Sequence, residues 1–90
     1  MAIYSDNFGE VFSGILEKSG VSNYQISNYA HIDQAYLSRL KSGKKENPSP
    51  EVLIRICLAL VYFSNKITLY DVEKLCNAVG KSLFTKKHDG

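Results

Sequence analysis

The chain has no apolar run long enough to cross a bilayer. Its longest, Ile56 to Phe63, falls far short of the ~20 residues a membrane helix needs, so no membrane role is expected. A secretory leader is not expected either, because Asp6, Asn7, Gly9 and Glu10 break any charged-then-apolar pattern near the start. Cysteine is scarce: Cys57 and Cys76 are the two present, both on apolar faces of predicted helices, where reduced core thiols are expected and a disulfide is not. Neither sign of charge dominates, and a net charge of +2 neither demands nor excludes a nucleic-acid partner. Internal repeats and low-complexity segments are also missing. A soluble, cytoplasmic (nucleoid-associated) domain is expected.

Catalytic chemistry is missing as well. His31 and His88 have no spaced carboxylate or cysteine partners, and Cys57 and Cys76 lack the ligand spacing of a zinc site. Gly80-Lys81-Ser82 mimics the end of a phosphate-binding loop, but Leu75 stands where its first glycine belongs, and a helix precedes it where one should follow. No enzyme activity, cofactor or metal is expected, and no small-molecule effector is evident.

What is present is enough for one domain. The chain has 90 residues, 44% of them hydrophobic, which predicts a packed core over residues 1–84 and a flexible tail over 85–90. Start and stop signals place five helices. The first follows Asp6 as N-cap, carries Phe8, Val11, Phe12, Ile15 and Leu16 on one face, and closes at Gly20. Gly9 and Gly14 weaken its propensity, so packing must hold it. The second opens with a Ser22/Gln25 capping box, has Val21 positioned to staple onto Ile26, and turns Ile26, Tyr29 and Ala30 inward. A third, capped by Asp33 with Ile32 set to staple onto Leu37, stops at Gly43.

Ser49 and Pro50 start a fourth helix with Val52, Leu53, Ile56, Cys57 and Leu60 on one face and Leu58, Val61 and Phe63 elsewhere. Such all-round apolarity predicts the central helix of the domain. Thr68 caps a fifth, with Ile67 stapling to Val72, Leu69, Val72, Leu75, Cys76 and Val79 inward, and an end at Gly80. A hairpin across VYFSNKITLY is the alternative there, and the Thr68 cap favours helix.

The stretch from Ser22 to Gly43, SNYQISNYAHIDQAYLSRLKSG, is the most informative. Its two helices meet at a corner, His31-Ile32-Asp33, too short for anything but a sharp angle. Successive helical residues turn by about 100°, so facing Leu37 and Leu40 to the core puts Ala35, Ser38, Arg39 and Ser42 outward. Gln34 then stands at the leading edge, with Tyr36 and Lys41 on the flanks. An ordinary solvated helix face would also be polar; the corner and the capping pattern argue for more. Gln34 matches the N6/N7 pair of adenine, Arg39 matches O6/N7 of guanine, and Ala35 and Ser38 permit close approach to base edges. Arg39, Lys41, Lys44 and Lys45 concentrate positive charge between Asp33 and Glu46, and the N-terminus of the second helix, at Asn23 and Tyr24, offers free N–H groups to a phosphate.

This segment resembles the phage-repressor (Cro-like, Xre-type) helix-turn-helix family, and the resemblance extends over the helix layout from about Asp6 to Val79. Asn23, Ser27, Ile32, Gln34, Leu37, Ser38, Arg39, Leu40 and Gly43-Lys44 stand in register with the family pattern, and NPSPEVLIRICLAL is similar to its proline-initiated fourth helix. The sequence departs from the pattern at His31, where the family favours glycine at a position tending to positive φ, at Ser27 for alanine, and at Lys41 for an acid. The resemblance implies an all-α, compact five-helix lambda-repressor-like domain with a helix-turn-helix formed by helices two and three. It implies base contacts from Gln34, Ala35, Ser38 and Arg39, and backbone contacts from Asn23, Lys41, Lys44 and Lys45. Tyr24, Tyr36 and Ser42 join the backbone set by position on the same surface.

The function these observations favour is a sequence-specific DNA-binding regulator, a small repressor that inserts helix 34–42 into the major groove of double-stranded DNA. One such unit buries roughly 600–1,000 Å² on DNA, so a homodimer on half-sites about one helical turn apart is expected. Tyr62, Phe63, Tyr70, Leu83 and Phe84 are its candidate dimer surface, with core or tail docking as the alternative use. An antitoxin or adaptor built on the same fold is the rival function, and a nonspecific nucleoid protein a third that the modest net charge disfavours.

Overall fold

The computed structural model describes the backbone of residues 7–45 and 47–89 and the side chains of residues 7–45 and 47–79. Among the described residues there are five helices and no strand: α1 (Phe8–Ser19), α2 (Asn23–Ala30), α3 (Gln34–Ser42), α4 (Pro50–Phe63) and α5 (Leu69–Asp89). The all-α fold forms as the helix signals predict, and the alternative hairpin does not. No helix among the described residues is long and apolar enough to cross a membrane.

Short polar side chains start most of the helices by accepting from orphan N–H groups. Asn7 caps α1, its Oδ1 accepting from the Glu10 N–H at 2.9 Å. The expected cap, Asp6, lies outside the described residues, and Asn7 does the work one position later. Ser22 and Gln25 form the predicted box: Ser22 Oγ accepts from the Gln25 N–H at 3.1 Å, and Gln25 Oε1 accepts from the Ser22 N–H at 3.0 Å. Ser49 Oγ accepts from the Val52 N–H at 3.3 Å, with Pro50 as the first residue of α4.

Asp33 departs from expectation. It sits at the N-cap of α3, but its exposed carboxylate makes no capping bond. Its backbone carbonyl accepts from the Tyr36 and Leu37 N–H groups instead, both at 3.1 Å. The main chain starts the helix.

α1 packs on α3 and α5, and α2 on α3 and α4. Phe12, Ile26, Leu37, Leu40, Ile56, Leu60 and Leu75 are the largest side chains with almost no exposure, and every helix contributes at least one. Burial of such a side chain contributes about 1.5–3 kcal/mol each. α1 turns its predicted face inward, with Val11 half-buried at the edge. Tyr29, expected inside, is exposed and stacks on Tyr62.

α4 is not the central helix. Leu53, Ile56, Ala59 and Leu60 are buried, Val52 and Cys57 are half-buried, and Ile54, Leu58, Val61, Tyr62 and Phe63 are exposed. The physical reason is packing supply: α4 lies chiefly against α2, and one short neighbour covers one face of a helix.

α5 differs in phase and length. Among its described side chains, residues 69–79, the buried positions are Asp71, Leu75, Ala78 and Val79, while Leu69 and Cys76 are exposed and Val72 is half-buried. The inward position of the first turn is an acid, so a count of apolar residues sets the face wrongly there. Asp71 completes a box with Thr68: Thr68 Oγ1 accepts from the Asp71 N–H at 3.2 Å, and Asp71 Oδ2 accepts from the Thr68 N–H at 2.9 Å. The helix also runs through Gly80, where an end was expected, to Asp89. A glycine inside a helix costs only about 1 kcal/mol and does not by itself stop one.

Candidate nucleic-acid interface

Three devices aim α3. Its inward residues Leu37 and Leu40 are wholly buried, so the rotation of the helix about its axis is set by the core. The corner before it is made by His31, at φ 58 and ψ 50, with the Ile32 N–H donating to the Ser27 carbonyl at 3.2 Å. The positive φ expected at this position is present, held by a histidine. Gly43, at φ 88, ends the helix. Beyond it the Lys45 N–H donates to the Arg39 carbonyl at 3.0 Å, which folds the basic loop back against the end of α3.

A further device escaped the sequence reading. A Cβ on Gly9 would lie 3.0 Å from the Leu40 carbonyl oxygen, 3.1 Å from that of Lys41 and 3.2 Å from the Gly43 nitrogen. α1 therefore meets the last turn of α3 backbone to backbone at this point. Gly9 sets how closely the two helices approach, a role invisible in a residue that sequence alone marks only as a weak helix former. Ser13 strengthens the same seam, its Oγ donating to the Lys41 carbonyl at 3.4 Å.

On this frame Gln34, Ala35, Ser38, Arg39 and Ser42 are all exposed on α3, as the face count predicts. Ser42 Oγ donates to the Arg39 carbonyl at 3.3 Å. Tyr36 is half-buried against the core, and Lys41, Lys44, Lys45 and Tyr24 are exposed. The ion pairs found among the described residues, Lys18–Asp71 and Arg55–Glu51, involve none of the basic residues of this surface. Asn23 is half-buried at the start of α2, and its Nδ2 donates to Ser38 Oγ at 3.3 Å, joining the two helices across their outer edge.

A second surface lies on the other side of α2. Tyr29 and Tyr62 stack at 4.6 Å between ring centroids, and Phe63 meets both edge-on at 5.8 and 4.9 Å. Ile54, Leu58 and Val61 continue this apolar surface along α4, each more than half exposed. Of the expected dimer residues, Tyr62, Phe63 and Tyr70 are exposed, and the side chains of Leu83 and Phe84 lie outside the described residues. Cys57 is half-buried, and burial, then the neighbouring Cys76, pushes its thiol up to about 11, which leaves it a poor nucleophile. No cluster of metal-ligating side chains occurs among the described residues.

Two helices joined at a tight corner, the second anchored inward and polar outward, define a helix-turn-helix unit. A helix-turn-helix family model matches residues 15–60, and the chain belongs to this Xre-like helix-turn-helix family. It is 36% identical over 59 residues to the transcriptional regulator ClgR of Mycobacterium tuberculosis, in strain CDC 1551 / Oshkosh and in strain ATCC 25618 / H37Rv alike. The match covers 66% of this chain and 52% of the relative, so the chain spans about half the length of the curated relatives it matches. No solved structure matches the chain significantly.

Proposed function

We propose that the protein is a sequence-specific DNA-binding transcriptional regulator, a cytoplasmic repressor that places α3 in the major groove. The observation that carries this reading is the outward face of α3: Gln34, Ala35, Ser38 and Arg39 exposed above a rigidly buried Leu37 and Leu40. Arg39 forks onto guanine, Gln34 pairs with adenine, and Ala35 touches a thymine methyl. Lys41, Lys44 and Lys45, with Asn23, Tyr24, Tyr36 and Ser42 around them, bind phosphates and set the register of the helix on the duplex.

The repressor acts as a homodimer through the exposed apolar surface of α4 and the Tyr29–Tyr62–Phe63 cluster. That surface also supports the second reading, an adaptor or antitoxin whose main partner is a protein. Selection of bound sequences from random duplexes tests the proposal. A preferred motif, palindromic, with affinity falling steeply in salt, is the expected result. Absence of any preferred sequence, with the chain associating with protein alone, rejects the regulator in favour of the adaptor.

A further inference from the structure

We propose that Asn23 sets the hydrogen-bonding polarity of Ser38, and so decides which base α3 accepts opposite that serine. The inference deepens the reading of α3 as a recognition helix and rests on it. Asn23 is the first residue of α2 and Ser38 stands mid-way along α3. The amide nitrogen donates to the hydroxyl oxygen at 3.3 Å. Asn23 Oδ1 is buried and is the one buried side-chain polar atom among the described residues that has no hydrogen-bond partner.

The Asn23 amide stands with Nδ2 on Ser38 and Oδ1 turned into the protein, so the amide donates and the hydroxyl accepts. A serine hydroxyl carries one donor and two lone pairs, and here one lone pair is taken from the protein side. Accepting from the amide also polarises the O–H and strengthens it as a donor. Ser38 Oγ has no acceptor of its own among the hydrogen bonds of the described residues, and the residue is exposed on the outward face. The groove is thus offered a serine biased towards donation.

Base edges respond differently to such a donor. In the major groove guanine presents two acceptors, N7 and O6, adenine presents N7 and thymine O4, whereas cytosine presents only the N4 amino donor. Ser38 favours bases that present an acceptor, guanine with two most of all, and ranks cytosine lowest, since only its one remaining lone pair can meet the N4 amino group. An aspartate at position 23 would invert this, because a carboxylate only accepts: it would draw the Ser38 proton inward and leave lone pairs facing the bases.

Bound-sequence selection on the full chain tests this with four proteins. Ser38→Ala identifies the base position that Ser38 reads, as the one whose preference collapses. At that position the unaltered protein is expected to disfavour cytosine on the order of fivefold or more. Asn23→Asp is expected to shift it towards cytosine, and Asn23→Ala to flatten it without inversion. Adding Asn23→Asp to Ser38→Ala should change nothing further there. Aspartate suits a helix N-terminus, so α2 is retained, and thermal unfolding of each variant checks the fold. If Asn23→Asp weakens every sequence equally and leaves the motif intact, Asn23 serves only the backbone or the fold, and the inference fails. No motif from the unaltered protein would instead remove the DNA reading itself.

Discussion

Lys18 Nζ lies 2.6 Å from Asp71 Oδ2, joining the last turn of α1 to the first turn of α5. The Asp71 side chain is almost wholly buried, and the same carboxylate oxygen accepts from the Thr68 N–H and hydroxyl. The lysine bond first, then the Thr68 N–H, hold its pKa below 3.8 against the opposing effect of burial. The unfolded chain takes up this proton at about pH 3.9, before the folded chain does. The contribution of Asp71 to stability is therefore complete above that pH and is lost as pH falls through the depressed value. Asp71→Asn is expected to lose about 1.5–3 kcal/mol near neutral pH, the range for hydrogen bonds to a charged group. Urea unfolding of both proteins from pH 7 down to 3 should show the gap closing at the acid end. A gap constant with pH would rule out the carboxylate charge as its source.

Gly9 stands against the backbone of Leu40, Lys41 and Gly43. Gly9→Ala improves helix propensity by about 1 kcal/mol, yet drives a methyl into atoms that cannot swing aside. Overpacking of this kind costs about 1–3 kcal/mol, so a net loss of stability is expected, together with weaker DNA binding as α3 is pushed off its axis. Gly14 is the control: a Cβ there meets nothing within 4 Å, and Gly14→Ala should stabilise. Thermal unfolding of the two variants should move in opposite directions.

His31 occupies the left-handed region at φ 58. A non-glycine residue there costs roughly 1–2 kcal/mol, partly offset by the greater unfolded-state entropy of glycine. His31→Gly should raise stability by about 0.5–1 kcal/mol, and His31→Val should lower it, since a β-branched residue tolerates positive φ poorly. Denaturant midpoints for the three proteins check the order Gly above His above Val.

Arg39 and Lys44 are both exposed and basic, but the proposed interface gives them different work. Arg39→Ala should cost about 1–3 kcal/mol on the preferred sequence and relax the choice of base at one position. Lys44→Ala should weaken all sequences alike and reduce the salt slope by about one. Equal effects from both on every sequence, measured by binding at several salt concentrations, would overturn the division into base and phosphate contacts.

Much of this was legible in the chain because it depends on near neighbours. The Ser22/Gln25 box, the Ser49–Pro50 start and the turn at Gly43 are local backbone chemistry, written within a few residues, whereas the positive φ at His31 was expected only from the family resemblance. The face of α3 was equally readable, since Leu37 and Leu40 determine it by helical periodicity alone. Where the face of α5 was misread, the deciding partner was distant in sequence. Asp71 faces inward because Lys18, on another helix, neutralises it, and this displaced the predicted face of α5.

Sequence by itself determined the helix-turn-helix unit and which residues it turns outward, because capping, chirality and periodicity act over one or two turns. Only the tertiary structure decided that α4 leaves an apolar face uncovered, that Gly9 sets the seat of α3, and that Asn23 reaches Ser38. These depend on how helices cross in three dimensions. Packing supply and backbone approach are properties of pairs of helices, and neither is carried by the residues of one.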